Sequence, residues 1–183
     1  MIMTVDELRR YVKTDEDDSL LEARLQALEL LIRAYTSNNF QVRAFRAVAV
    51  AIAEHSLLCN GTVPFLVGDT LQISESALMP NQLVTVERVE GDAVTVKEEL
   101  FDESGVVLTK VKYPQDVKLG VARLLQWQLD NGDKVGVQSE TISRHSVTYF
   151  NMDGDNSAMG FPKSLLGFLL PYKRARFGQG LYV

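Results

Sequence analysis

The chain has 183 residues, of which 46% are hydrophobic and 23% charged, with a formal net charge of -5. That is enough apolar material for a core, and too little basic excess for a generic nucleic-acid or membrane binder, which needs Lys and Arg to meet phosphate. Cys59 is the only cysteine, which excludes an internal disulfide and a cysteine-rich zinc site. No apolar run reaches the roughly 18 residues of a membrane span and no signal-peptide pattern is present, so the expectation is a protein made and used on the cytosolic side.

Thr4-Val5-Asp6-Glu7 has the capping-box pattern, Thr at the N-cap and Glu three residues on. It predicts a short helix with Val5, Leu8, Tyr11 and Val12 on one face. An acidic turn, Asp15 to Asp18, leads into a long helix, where the macrodipole favours negative charge. Leu21, Leu25, Leu28, Ile32 and Tyr35 form its apolar stripe. Leu20, Ala27, Leu31 and Ala34 widen that stripe beyond what one partner helix needs, and Ser37-Asn38-Asn39 ends it.

Residues 40–110 change character, with Val, Ile and Thr rising and apolar residues alternating. Val42 to Ile52 reads as a strand, though its alanines leave this open. Leu71-Gln72-Ile73 follows the turn signal Gly68-Asp69, and Val84 to Val96 reads as a hairpin turning at Glu90 to Asp92. Several short strands in this span predict a small β-barrel or SH3-like sheet. Helical period returns at Tyr113-Pro114, with Pro114 at the first helical position. Val117, Val121, Leu124, Leu125 and Leu129 share a face, Trp127 lies off it, and Asn131-Gly132 supplies the stop. A polar crossing follows, Ser139 to Gly160. Pro162 then opens a further helix carrying Leu165, Leu166, Phe168, Leu169 and Leu170, which Pro171 kinks or ends. Arg174 to Val183 reads as an extended basic and aromatic tail.

The candidate chemistry is weak. Asp153-Gly154-Asp155-Asn156 looks like a metal loop, but neither register, from Asn151 or from Asp153, puts Gly at position six and Glu at position twelve as an EF-hand requires. A turn accounts for those residues. Ser143, His145 and Ser146 lack a nucleophile elbow and an orienting acid, and the other histidine, His55, lies far along the chain. Gly178-Gln179-Gly180 precedes no helix, so it makes no phosphate loop. Glu98-Glu99 and Asp102-Glu103 read as a solvated strand end. No catalytic residue, metal or cofactor is predicted.

The order of elements says more than any motif. "TVDELRRYV", the acidic "TDEDD" and "LLEARLQALELLIRAYT" are followed much later by "YPQDVKLGVARLLQWQLDN", a polar crossing and "GFPKSLLGFLLPYKRARFG". This pattern resembles the tailed-phage head-tail connector family, also called adaptor or head-completion proteins. The resemblance covers roughly residues 4–38 and 113–177. Its carriers are Tyr113-Pro114-x-Asp116-x-Lys118-Leu119, the Ser139 to Tyr149 crossing and Leu169-Leu170-Pro171-Tyr172. The strand-rich segment departs from the shortest members and looks like the inserted β-domain of a longer subgroup, also found in prophages of Gram-positive bacteria.

The resemblance implies an α+β fold, an antiparallel helical bundle of about four helices with an inserted small β-barrel or SH3-like sheet. The helical connector domain would comprise 1–39 and 111–173, the insertion 40–110 and the tail 174–183. It implies a non-enzymatic structural protein that forms a ring, usually dodecameric, under the portal in the virion neck after assembly in the host cytoplasm. The ring would extend the DNA channel without binding DNA specifically, and would dock the next stopper or tail-completion protein; no membrane is involved. A ring needs two different contact faces on each subunit. Leu31, Tyr35 and Trp127 on the helices, and Val137, Ile142, Arg144, His145, Val147 and Tyr149 in the crossing, are the expected subunit interface. The crossing suits strand addition, whose affinity comes from main-chain hydrogen bonds. Arg174, Arg176, Phe177, Leu181 and Tyr182 are the expected portal-docking residues.

The alternative reading is a nucleic-acid-binding module built on the SH3-like segment. It predicts a basic stripe on the strands, whereas Leu71 to Leu100 carries Glu75, Glu87, Glu90, Asp92, Glu98 and Glu99 against Arg88 and Lys97.

Overall fold

The computed structural model describes residues 1–132, 139–142, 145–148 and 155–175, and for 139–142 and 145–148 it describes the backbone alone. The chain divides into two compact units, Met1 with Asn39–Tyr113 and Ile2–Asn38 with Pro114–Val183.

The first unit is a closed barrel of six antiparallel strands: β1 (Gln41–Ala53), β2 (Ser56–Cys59), β3 (Thr70–Ser74), β4 (Leu83–Glu90), β5 (Ala93–Val96) and β6 (Val106–Val111). Around the barrel they run β1-β2-β5-β4-β3-β6, so β1 closes against β6 and no strand is left as a full edge. Val84 and Val86 on β4 and Val94 and Val96 on β5 are buried, with half-buried Thr85 and Thr95 between them, as a period of two demands. They join Leu57, Leu71, Ile73, Val106 and Leu108 in one core. Gln72 is fully buried on β3, and its amide donates to Asn81 Oδ1 at 2.7 Å. Gly91, at φ 62°, makes the tight turn between β4 and β5. The β1–β6 register jumps from Gln41↔Val111 to Arg46↔Thr109, so Lys110 alone stands opposite Val42–Phe45. That four-to-one mismatch is a large bulge.

The second unit holds α1 (Val5–Leu8), α2 (Asp18–Thr36), α3 (Gln115–Asn131) and a 3-10 helix, Lys163–Tyr172. Two small antiparallel pairs complete its described structure: β7 (Ser139–Ile142) with β8 (His145–Thr148), and β9 (Ser157–Ala158) with β10 (Phe161–Pro162). Thr4 Oγ1 accepts the Glu7 N–H at 3.1 Å and caps α1, while Asp17 caps α2 through the Ser19 N–H at 3.1 Å. Left-handed Ser37, at φ 52°, terminates α2. Leu21, Leu25, Leu28 and Ile32 on α2 are buried, as are Val117, Val121, Leu124 and Leu125 on α3. Each such side chain contributes roughly 1.5–3 kcal/mol relative to exposure. The 3-10 helix adds Leu166 and Leu169, one turn apart at its three-residue period. Its Phe168 ring lies so close to α3 that a Cβ on Gly120 would come within 2.4 Å of it.

The expected antiparallel bundle of about four helices with an inserted β-domain is not what forms. The six-stranded antiparallel sheet dominates a mixed α+β fold with few helices. Among the described residues only α2 and α3 are long α-helices; α1 is a single turn, and the segment after Pro162 is 3-10. Two of the four helices foreseen are thus too short or too tightly wound to be full bundle members. Smaller differences follow the same logic. Pro114 is the N-cap of α3, not its first helical residue, because extended backbone at ψ 155° precedes Gln115. Tyr11 is exposed because α1 has ended before it.

Candidate interaction surface

α2 presents two apolar surfaces. Leu21, Leu25, Leu28 and Ile32 of its central stripe are buried, but of the flank Leu20, Ala27 and Ala34 are exposed, Leu20 by 45%, and Leu31 is half-buried. The flank read from the sequence as surplus is therefore uncovered within its own unit. Beside it lies a shallow groove of about 310 Å³, lined by Arg24, Leu28 and Leu31 from α2, Trp127 from α3, and Met159 and Phe161, among others. The β9–β10 turn makes one wall. Met159 and Gly160 both have positive φ, 57° and 80°, the backbone of a two-residue hairpin turn. That turn places Phe161 against Trp127, with ring centroids 5.6 Å apart and planes tilted by 59°. Edge-tilted aromatic contacts of this kind favour a fixed ring geometry.

Among the described residues, the cation lining the groove is Arg24, paired with Glu16 at 2.9 Å. Its Nε is buried and, among the described residues, has no hydrogen-bond partner. The site offers contact area and a guanidinium, which suits binding by complementarity of shape.

The residues singled out from the sequence scatter. Leu31 and Trp127 meet in this groove. Tyr35 does not join them: its ring lies under Lys173 Nζ at 3.9 Å, an intramolecular cation–π contact that makes it a poor anchor for a neighbour. The end of the 3-10 helix and the residues just after it are tied to the same end of α2, where the Asn38 side-chain amide donates to Tyr172 O at 3.1 Å and the Arg174 N–H donates to Thr36 O at 2.8 Å. Exposed Arg174 is thus anchored by its backbone beside α2. Ile142 is the last residue of β7, and His145 and Val147 lie on β8, pairing with Ile142 and Glu140. Val137, Arg144, Tyr149, Arg176, Phe177, Leu181 and Tyr182 lie outside the described residues. So do Ser143 and the Asp153-Gly154 half of the acidic run, whereas Asp155-Asn156 forms a turn.

No family model matches this sequence, and no curated protein matches it.

Three features escaped the sequence reading. Glu29 and Arg33, 2% and 8% exposed, are buried on α2, although a charged pair four apart normally reads as a solvated face. Gly120 sits inside α3, where an interior glycine was itself the available signal of close packing. Phe45 is exposed on β1, and nothing in "RAFRAVAV" announces which side of the strand faces out.

Proposed function

We propose that this protein is a non-enzymatic assembly subunit that packs against copies of itself in a ring at the neck of a tailed phage, beneath the portal. The observation that carries the reading is the uncovered apolar flank of α2, continuous with a groove that gathers Leu31 and Trp127. Isolated exposed leucines are ordinary, but a stripe running alongside an apolar groove is the kind of surface that a partner covers. The β7–β8 pair supports the same reading, because a two-stranded hairpin is marginal alone and gains from a third strand. The helical segments and the basic tail of the sequence add the resemblance to head-tail connectors, with the tail meeting the portal and the far side docking the next neck component.

In this account DNA passes through the ring without specific contacts, as the net charge of -5 favours. The test is direct imaging of the neck of particles made by the genome that encodes this chain. A ring of this protein under the portal supports the proposal, and a neck without it removes it.

A further inference from the structure

Among the exposed apolar residues of the barrel unit, which also include Val48, Val50, Leu58, Leu66 and Val67, two spots have opposite electrostatic surroundings. The first is the β1 bulge. Phe45 is 42% exposed there between exposed Arg43 and Arg46, and the register pairs none of Val42–Phe45 with another strand. Lys110 Nζ lies 5.5 Å from the Phe45 ring, and Lys112 is exposed one residue beyond β6. The acid at this spot, Asp69, is taken up by Lys110 at 2.7 Å. Among the described residues Arg46 Nε donates to the Thr109 hydroxyl, at 3.1 Å, and its guanidinium meets no carboxylate.

The second spot is at the other end of β1. The Ile52 N–H donates to Glu103 O at 2.9 Å, Glu103 accepts the Ala77 N–H at 2.8 Å, and the Phe101 N–H reaches Met79 Sδ at 3.4 Å. These bonds gather Leu78 and Phe101, 57% and 65% exposed, at one end of the barrel. Exposed Glu75, Glu99 and Asp102 lie within three residues of them along the chain, Glu54 O accepts the Leu100 N–H at 3.1 Å, and none of these four acids is in an ion pair among the described residues. Phe45 and Ile52 stand seven residues apart along the strand, roughly 20 Å, so one barrel cannot close the two spots on each other.

We propose that these spots are the two halves of a head-to-tail contact between copies of this chain, the Arg43–Phe45–Arg46 bulge of one barrel seating on Leu78 and Phe101 of the next. Charge complementarity selects a second copy as the occupant. An apolar centre rimmed by cations meets an apolar centre rimmed by acids, and each copy supplies both. Two unlike faces on one subunit make the contact heterologous, which closes into a ring or runs on as a filament. The inference deepens the ring reading by naming faces on the barrel. It rests on self-association and not on where in a particle the assembly sits.

The experiment is sedimentation velocity on the full chain at low and high salt, with circular dichroism as the check on folding. Wild type should self-associate at low salt and dissociate as salt rises. Arg43→Glu/Arg46→Glu and Glu99→Lys/Asp102→Lys should each weaken association at least tenfold. An equimolar mixture of the two variants should restore it, because each then presents the charge the other lacks; misfolded variants could not do this. Association unchanged in both variants would overturn these faces and leave a ring built elsewhere standing. Failure of the mixture to associate, or a wild type monomeric at low salt, would overturn the inference. So would Arg43- and Arg46-dependent binding of a DNA oligonucleotide without self-association, which would assign the bulge to nucleic acid.

Discussion

Two residues carry consequences that their types alone do not announce. Gly120 costs α3 about 1 kcal/mol in helix propensity relative to Ala. The Phe168 ring, 2.4 Å from where a Cβ would stand, reverses the sign of that substitution. Gly120→Ala should therefore destabilise the protein by about 1–2 kcal/mol in a urea titration, overpacking outweighing the propensity gain. An unchanged or higher midpoint would mean that the ring moves aside freely. Cys59 lies in the barrel core, where burial, reinforced by the nearby Asp92 carboxylate, pushes its thiol up to about 11. The fold prefers the neutral thiol. Well below pH 9 both states are neutral and stability is unaffected; as pH rises through the ordinary thiol value near 9 the unfolded chain ionises first, and stability falls until the folded thiol ionises near 11. The stability difference between wild type and Cys59→Ala, measured by urea unfolding, should shift against wild type between those two pH values. A difference independent of pH would contradict this.

At the level of elements, what could be read in the sequence is what local period and turn chemistry determine. α2 was legible because Leu21, Leu25, Leu28 and Ile32 recur every three or four residues between an acidic cap and Ser37. The β4–β5 hairpin was legible from alternating valines around Gly91. β2 and β6 were not, because four and six residues carry too little pattern, and both are specified by partners far along the chain. Barrel closure depends on Ala49 meeting Val106, a pairing that no local signal encodes. The segment after Pro162 was legible as a helix but not as a 3-10 one, because Leu166 and Leu169 satisfy either period. Of the interaction surface, the surplus flank of α2 was visible as a stripe too wide for one partner. The groove was not, since the Met159-Gly160 turn that brings Phe161 to Trp127 lies some thirty residues beyond that tryptophan. The β7–β8 pair gives the prediction proper to this scale. Val147→Asp on β8 should block assembly while leaving a folded monomer, read by size-exclusion chromatography and circular dichroism. An unfolded variant would place Val147 in a core instead.

For the molecule as a whole, the sum of the surfaces is what distinguishes an assembly subunit from a self-sufficient domain. α2 exposes an apolar flank, the barrel exposes Phe45 at one end of β1 and Leu78 with Phe101 at the other, and the charges around those ends are opposite in sign. The proposal that this chain is stacked around an axis in a phage neck is tested most directly by cryo-imaging the neck of particles produced by the encoding genome, with density fitted by the six-stranded barrel. The account predicts repeated copies of that barrel in a ring beneath the portal, basic bulge against acidic end. A neck fully accounted for by other chains, with this protein absent from the purified particle, would contradict it.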